Sequence, residues 1–318
     1  MTRVACIGEC MIELRQATAG PSSGLYARGY GGDTLNTAVY LSRLGVDVDY
    51  ITALGDDALS EEMIAGWTAE GIGTKRVARL PGKLPGLYLI QTDDKGERRF
   101  FHWRDSAAAR SLMDLPETED ILNSLASYDV VYLSAITLSI LQEAGRERLM
   151  TGLKRARLLG TRFAFDTNFR ARGWPDLNVA RKAFSAAFEG ADIVLASTED
   201  LAPLYPGESA AALLAGISSP EVVLKLAEPA CILRFAGGSG EVRAEPLIKP
   251  AVDTTAAGDS FAAAYLAARL SGAGPEDAAR AGHRLAGVVV CYPGAIIPRY
   301  AMPPKRAPRP STSRKASS

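Results

Sequence analysis

Residues 252–261 (VDTTAAGDSF) carry the most suggestive chemistry in the chain. A run of small side chains leads to a lone carboxylate, Asp259, and then to a helix-forming segment over residues 260–270. Small residues let backbone approach a ligand closely. The first amides of a helix lack intrahelical acceptors and sit at the positive end of its dipole, which suits a phosphate or a developing oxyanion. Asp259, at that helix start, could accept a proton from an attacking hydroxyl. An anion cradle beside a base points to phosphoryl transfer. The same residues also read as an ordinary helix start capped by Asp259, and this stretch alone leaves both open.

Three other polar clusters fall where chemistry is expected. Residues 31–36 (GGDTLN) precede the first long helical pattern. Their glycines, Gly31 and Gly32, allow close approach, and Asp33 and Asn36 offer directional partners for sugar hydroxyls. A glycine turn with Asp33 or Thr34 as cap is the plainer alternative. Residues 166–170 (DTNFR) follow an apolar run, at the strand end where open α/β sheets place their ligand crevice, and Glu9 follows the first strand in the same way. Arg170 could hold a carboxylate or phosphate through paired hydrogen bonds, and so could Arg104 in the run His102-Trp103-Arg104-Asp105. Two surface salt bridges are the alternative. Convergence of the two arginines would imply an acidic substrate.

The elements that must position these residues alternate. Residues 3–8 (RVACIG) read as a buried strand; residues 34–44 carry apolar side chains at helical spacing and stop at Gly45; residues 47–54 form a strand; residues 58–70 form a helix closed by Gly71. Strands follow at 130–134, 162–166, 192–196, 221–226 and 230–235, with helices at 146–159 and 178–189 among them. This alternation predicts an α/β fold with a doubly wound, mostly parallel sheet. Two segments interrupt it, 11–30 and 86–105. The second shows period-two patterning around Asp93-Asp94-Lys95-Gly96, as in a hairpin. They read as a small β-sheet lid over the crevice, with an edge hairpin of the main sheet as the alternative. Residues 303–318, rich in Pro, Ser, Lys and Arg, are expected to be a disordered basic tail after one domain over 1–302.

Composition narrows the classes. The 318 residues are 47% hydrophobic, and 36 Lys+Arg balance 36 Asp+Glu, so no global basic field exists to hold nucleic acid. No apolar run reaches the length of a membrane span, and Val4 to Ile7 is too short for a signal peptide. The four cysteines, Cys6, Cys10, Cys231 and Cys291, include only one close pair, spaced CxxxC, which argues against zinc. A reducing, cytoplasmic location is the default. P-loop, GxGxxG, HExxH and GxSxG signatures are absent, and His102 and His283 are the only histidines.

Taken together, the motifs resemble those of the PfkB (ribokinase-type) sugar kinases over roughly residues 1–300. That family pairs an N-terminal Gly-Gly sugar motif with a C-terminal D-T-x-G-A-G-D motif. Here they stand as residues 31–36 and 253–259. Five stretches are similar to the 2-keto-3-deoxygluconate kinase subgroup: GGDTLN, Trp103-Arg104 followed by Ala107-Ala108-Ala109, residues 168–172 (NFRAR), residues 253–261 (DTTAAGDSF) and residues 294–298 (GAIIP). The resemblance implies a ribokinase-like fold and ATP-dependent phosphorylation of the C6 hydroxyl of 2-keto-3-deoxygluconate. By it, Asp259 is the general base, and the amides of Ala256, Ala257 and Gly258 form the anion hole. Gly31, Gly32, Asp33, Asn36, Tyr88, His102, Arg104 and Arg170 contact the sugar, with the arginines nearest its carboxylate. Asn168, Ser197, Lys225, Ala227 and Gly258 lie on the ATP side. Glu199 orients water bound to Mg²⁺, and Asp253 and Thr255 flank a K⁺ site. A homo-oligomer paired through lids is implied, with no nucleic-acid or membrane partner. Ala256 replaces the family's first glycine of GAG, as the subgroup does. Ala227 and Ala230 replace glycines, where a methyl could crowd the nucleotide, and Ala196 replaces the Asn of N-x-x-E. Another sugar or nucleoside kinase of this fold, or a non-catalytic sugar-binding regulator, remains the alternative.

Overall fold

The computed structural model describes residues 2–16, 24–92 and 98–304. The chain begins β1 (Arg3–Ile7), β2 (Met11–Gln16), β3 (Tyr26–Gly31), α1 (Asp33–Arg43), β4 (Asp47–Gly55), α2 (Ala58–Ala69), β5 (Val77–Leu80), β6 (Leu87–Thr92) and β7 (Arg98–Trp103). It continues through α3 (Thr118–Ser124), β8 (Val130–Ser134), α4 (Ala135–Ile140), α5 (Glu143–Leu158), β9 (Arg162–Asp166), α6 (Leu177–Gly190), β10 (Ile193–Ser197) and α7 (Thr198–Leu201). It ends with α8 (Ala210–Gly216), β11 (Glu221–Lys225), β12 (Ala230–Phe235), β13 (Gly238–Arg243), α9 (Ala257–Leu270) and α10 (Pro275–Val289).

Nine strands form the main sheet in the order β13-β12-β11-β10-β9-β8-β1-β4-β5, parallel from β11 to β5 and antiparallel at β12 and β13. Its central strands are apolar along their length because helices cover both faces. Alternate residues serve alternate faces: Ala5, Ile7, Val131, Leu133 and Phe165 pack on one side, beneath α5 and α6. Val4, Cys6, Val130, Tyr132 and Ala164 pack on the other, beneath α1, α9 and α10. This confirms the doubly wound sheet expected from the alternation.

The lid is a separate four-stranded sheet, β3-β2-β6-β7, and not an edge of the main one. β6 and β7 pair antiparallel, with Tyr88 opposite His102, as the hairpin pattern predicts. The turn expected at Asp93-Asp94-Lys95-Gly96 and, from residue 305 on, the expected tail lie outside the described residues. Two sheet elements, β5 and β13, and the whole of α10 have no counterpart in the sequence reading. α10 carried local signals nonetheless, with Pro275 as its first residue and Glu276 and Asp277 in its first turn.

Parallel strands aim their carboxyl ends the same way. Glu9 follows β1, while Asp166, Ser197 and Lys225 end β9, β10 and β11, so these residues share one rim of the sheet.

Candidate active site

Two helices complete that rim. α1 and α9 pack against each other and bring the two glycine-containing motifs together. Asn36 Nδ2 donates to Asp259 Oδ2 at 2.8 Å across 223 residues of sequence. Thr37, on the next position of α1, places its hydroxyl 3.3 Å from the Asp259 carbonyl oxygen. Asp259 is the third residue of α9 and makes no capping bond; the helix is opened by Ala256 instead. The capping alternative for Asp259 is therefore not what the chain adopts.

Ala256 has φ 60° and ψ 16°, and is the sole non-glycine residue with positive φ among the described residues. An L-residue in the left-handed region costs roughly 1–2 kcal/mol. That conformation turns the chain abruptly into α9. Ala257 N–H donates to Thr254 O at 3.2 Å, so this amide is engaged inside the turn. Asp253 fastens the turn from below: Oδ1 accepts from Thr255 N and Oγ1 at 3.0 and 2.6 Å, and Oδ2 accepts from Gly294 N at 2.8 Å. Ala256→Gly is expected to raise stability by about 0.5–1 kcal/mol, the released strain less the added chain entropy of glycine. Equilibrium denaturation reads this, and a loss of stability would show that the turn is not strained.

Negative charge is concentrated here. Burial, with Asp33 next in weight and Asp166 adding to it, pushes the Asp259 carboxyl well above the usual carboxylate range, against Asn36 and Lys225. Asp259 lies deep among protein atoms yet remains partly open to solvent. Asp166 is pushed up to about 6, mainly by burial, with Lys225 opposing. Lys225 Nζ stands 3.7 Å from Asp166 Oδ2, and a methyl added to Gly258 would lie 3.4 Å from the same nitrogen. One flexible cation thus lies near both Asp166 and the start of α9.

Asp33 Oδ2 accepts from Asn168 Nδ2 at 2.7 Å, which ties residues 31–36 to the segment after β9. Gly32 passes directly over β1: a methyl there would overlap the Glu9 carbonyl oxygen. Tyr88 packs on Gly31 and donates to Glu13 Oε2 at 2.6 Å. His102 stacks on Tyr88 and Phe100 with ring centroids 6.0 and 6.4 Å away, and partial burial, then Arg104 and Arg172, lower its pKa from the ordinary value.

Arg104 and Arg170 have different carboxylate partners. Arg104 Nη2 donates to Oε2 of the buried Glu9, with Arg104 itself only partly buried. Arg170 is 61% exposed and reaches Asp200 Oδ1 at 3.5 Å. Arg172, in the same NFRAR run, acts on His102 together with Arg104.

The nucleotide-side expectations divide. Ser197 Oγ accepts from Asp200 N at 3.1 Å and caps α7, on which Glu199 is exposed. Ala227 is exposed in the β11–β12 turn, whereas Ala230 is buried in β12. The sequence reading gave no role to His283. Its ring stands edge-on to Phe261 with centroids 5.0 Å apart, its Nε2 is buried without a partner, and it lines a cavity of about 220 Å³ with Val242, Arg280 and Arg284. A lone histidine in an unrecognised helix offered no local signal. Among the described residues, no three His, Cys, Asp or Glu side chains cluster as metal ligands, and no helix is long and apolar enough to cross a membrane.

Comparison with known proteins gives this geometry a family. The sequence profile of the pfkB family carbohydrate kinases matches residues 1–301. A 2-dehydro-3-deoxygluconokinase of Dickeya dadantii (strain 3937) is 46% identical over 309 residues, covering 94% of this chain and 98% of its own. The protein of the same name from Escherichia coli (strain K12) is 42% identical over 310 residues, covering 95% and 99%. In fold, the ATP-bound fructokinase of Xylella fastidiosa superposes with a TM-score of 0.81 over 95% of each chain at 23% identity. With the profile spanning nearly the whole chain and relatives above 40% identity along their full length, this protein belongs to the pfkB family of carbohydrate kinases.

Proposed function

We propose that this kinase transfers the γ-phosphoryl group of ATP to the C6 hydroxyl of 2-keto-3-deoxygluconate, giving the 6-phosphate and ADP. The observation that carries the reading is the bond between Asn36 and Asp259, which seats a carboxylate of raised proton affinity at the start of α9 beside the sugar motif. The names of the two relatives above supply the substrate.

In this mechanism Asp259 accepts the proton of the sugar hydroxyl as that oxygen bonds to the γ-phosphorus. The bridging oxygen leaves with its electron pair on ADP. A carboxylate whose pKa is raised toward working pH is a stronger acceptor than an ordinary aspartate. The amides of Ala256, Ala257 and Gly258, with Lys225, stabilise the charge on the phosphoryl oxygens. The Ala257 amide exchanges its bond to Thr254 for the phosphoryl group. Gly31, Gly32, Asp33, Asn36, Tyr88 and His102 hold the sugar, and Ser197, Lys225 and Ala227 border the nucleotide, with Asn168 bridging to Asp33. Mg²⁺, when bound, would supply neutralisation of the phosphate charge. Glu199, a single exposed carboxylate, fits contact through a water better than direct ligation. Asp253 and Thr255 are proposed to border a K⁺ site; their mutual hydrogen bonds fix the turn that such an ion would adjoin.

We read residues 1–302 as one kinase domain whose lid excludes water from the transfer. Exposed apolar side chains on the lid, Leu25, Phe101 and Trp103, support pairing with a second copy. Four free cysteines fit a reducing, cytoplasmic setting.

Arg104 and Arg170 are assigned to the substrate carboxylate. Arg104→Ala and Arg170→Ala are each expected to raise KM for 2-keto-3-deoxygluconate by about tenfold or more, as for a lost charged hydrogen bond, with KM for ATP changed less than about twofold. Steady-state kinetics with each substrate varied in turn checks this, and equal rises in both constants would remove the carboxylate role.

A further inference from the structure

Glu9 is the most deeply buried carboxylate among the described residues, at 2% exposure, and the proposed reaction gives it no part. It stands where three pieces of the site meet. It follows β1; the sugar loop crosses its carbonyl oxygen at Gly32; and the lid comes down at Gly86, where a methyl would lie 2.9 Å from Glu9 Oε1. Asp33 and Arg110 are near enough to act on its charge. Among the described residues its side-chain hydrogen-bond partner is Arg104, held through Nη2 and Oε2.

The pair is incompletely used. Glu9 Oε1 and Arg104 Nε are both buried and both without a hydrogen-bond partner. A buried ion pair is a weak source of stability, because desolvation offsets attraction. A pair chosen for stability would also engage both edges of the carboxylate, as Arg43 does on Glu70 with bonds of 2.9 and 2.8 Å. What the one-point contact does supply is orientation. Arginine is among the side chains richest in rotamers, so fixing it before the ligand arrives removes an entropy loss from binding.

We propose that Glu9 is a positioning residue for substrate specificity: it holds Arg104 under the lid in the orientation that receives the carboxylate of an acidic sugar. The inference rests on the reading of Arg104 as a substrate contact and extends it to the residue that sets its geometry. Glu9 itself touches no reacting atom, so its loss is felt through Arg104 alone.

A double-mutant cycle tests this. Glu9→Gln, Arg104→Ala and the double variant are compared with the wild type for KM and kcat on 2-keto-3-deoxygluconate, KM for ATP, and thermal midpoint. Glu9→Gln is expected to raise KM for the acidic sugar about tenfold, with kcat and KM for ATP within about twofold to threefold. In the Arg104→Ala background the same substitution should add nothing to KM. Additive KM effects, a parallel rise in KM for ATP, or an unchanged KM would overturn the proposal; a lowered thermal midpoint with unchanged KM would mark Glu9 as structural only. If Glu9→Gln does not fold, Glu9→Asp carries the same readouts, since it keeps the charge and withdraws it by one methylene. Wild-type enzyme that prefers a neutral sugar would instead reject the acidic-substrate reading itself, before any variant is made, and this proposal with it.

Discussion

Asp259→Asn is expected to lower kcat by roughly 10²–10⁴-fold, the usual contribution of a positioned general base, with KM for both substrates little changed. Asparagine keeps the shape and can still meet Asn36, so the contact between α1 and α9 survives while the proton acceptor is gone. The stability of the variant supplies an independent check. Burial and the fields of Asp33 and Asp166 raise the folded-state pKa of Asp259 above its unfolded value of about 3.9. The folded state then holds the proton more tightly than the unfolded state. Below the unfolded pKa the residue costs nothing; as pH rises past it, the folded protein loses stability until the folded pKa is passed. Asp259→Asn should therefore be at least as stable as wild type at pH 7, with the difference vanishing in acid. Denaturant titrations at both pH values and a coupled ADP-release assay read these effects. Near wild-type turnover would refute the base assignment, and marked destabilisation at pH 7 would refute the electrostatic account.

Gly32→Ala carries the second large effect. Gly32 is extended, with φ −176° and ψ 139°, so backbone strain is not the issue. The obstacle is space, since the new methyl would overlap the main-chain oxygen of Glu9 and come within 3.1 Å of Cys10 Cα. Neither can swing aside as a side-chain tip would, because β1 and β2 are both fixed in sheets. The sugar loop must lift, taking Asp33 and the start of α1 with it. We expect a loss of about 1–3 kcal/mol, typical of overpacking, and at least a tenfold rise in KM for the sugar. Gly258→Ala is the matched control: its methyl would make ordinary contact with Lys225 Nζ at 3.4 Å. Thermal midpoints and sugar KM measured for both variants check the argument; equal behaviour would show that close approach at Gly32 does not govern the site.

The layers of the fold were legible because parallel strands buried on both faces must be apolar and must alternate with helices. The strand ends at Ser134, Asp166 and Phe235 fall where the sequence places them. The start of α9 does not. Periodicity begins the helix at residue 260, whereas α9 starts three residues earlier, at Ala257, after a left-handed Ala256, a conformation for which alanine gives no local sign. β13 (GSGEVR) is a short, glycine-rich edge strand without apolar alternation, so its pairing with β12 comes from tertiary context.

The site was legible as residue types and much less so as pairings. Asn36 and Asp259 stand out within their motifs, yet their hydrogen bond spans the chain. Arg104 was expected to be available to a ligand, but topology seats it on Glu9. Arg170 turns to Asp200. His283 reaches its cavity because α10 packs against β13, whose Val242 also lines it.

The central claim is that this kinase phosphorylates a keto-deoxy sugar acid. Its most direct test is ADP release from Mg·ATP with 2-keto-3-deoxygluconate, 2-keto-3-deoxygalactonate, ribose, fructose and adenosine offered separately to the wild-type enzyme. The account predicts turnover with the keto-deoxy acids, foremost the gluconate, and none above background with the three neutral compounds. Turnover led by a neutral sugar, or ATP binding with no turnover on any of them, would contradict it.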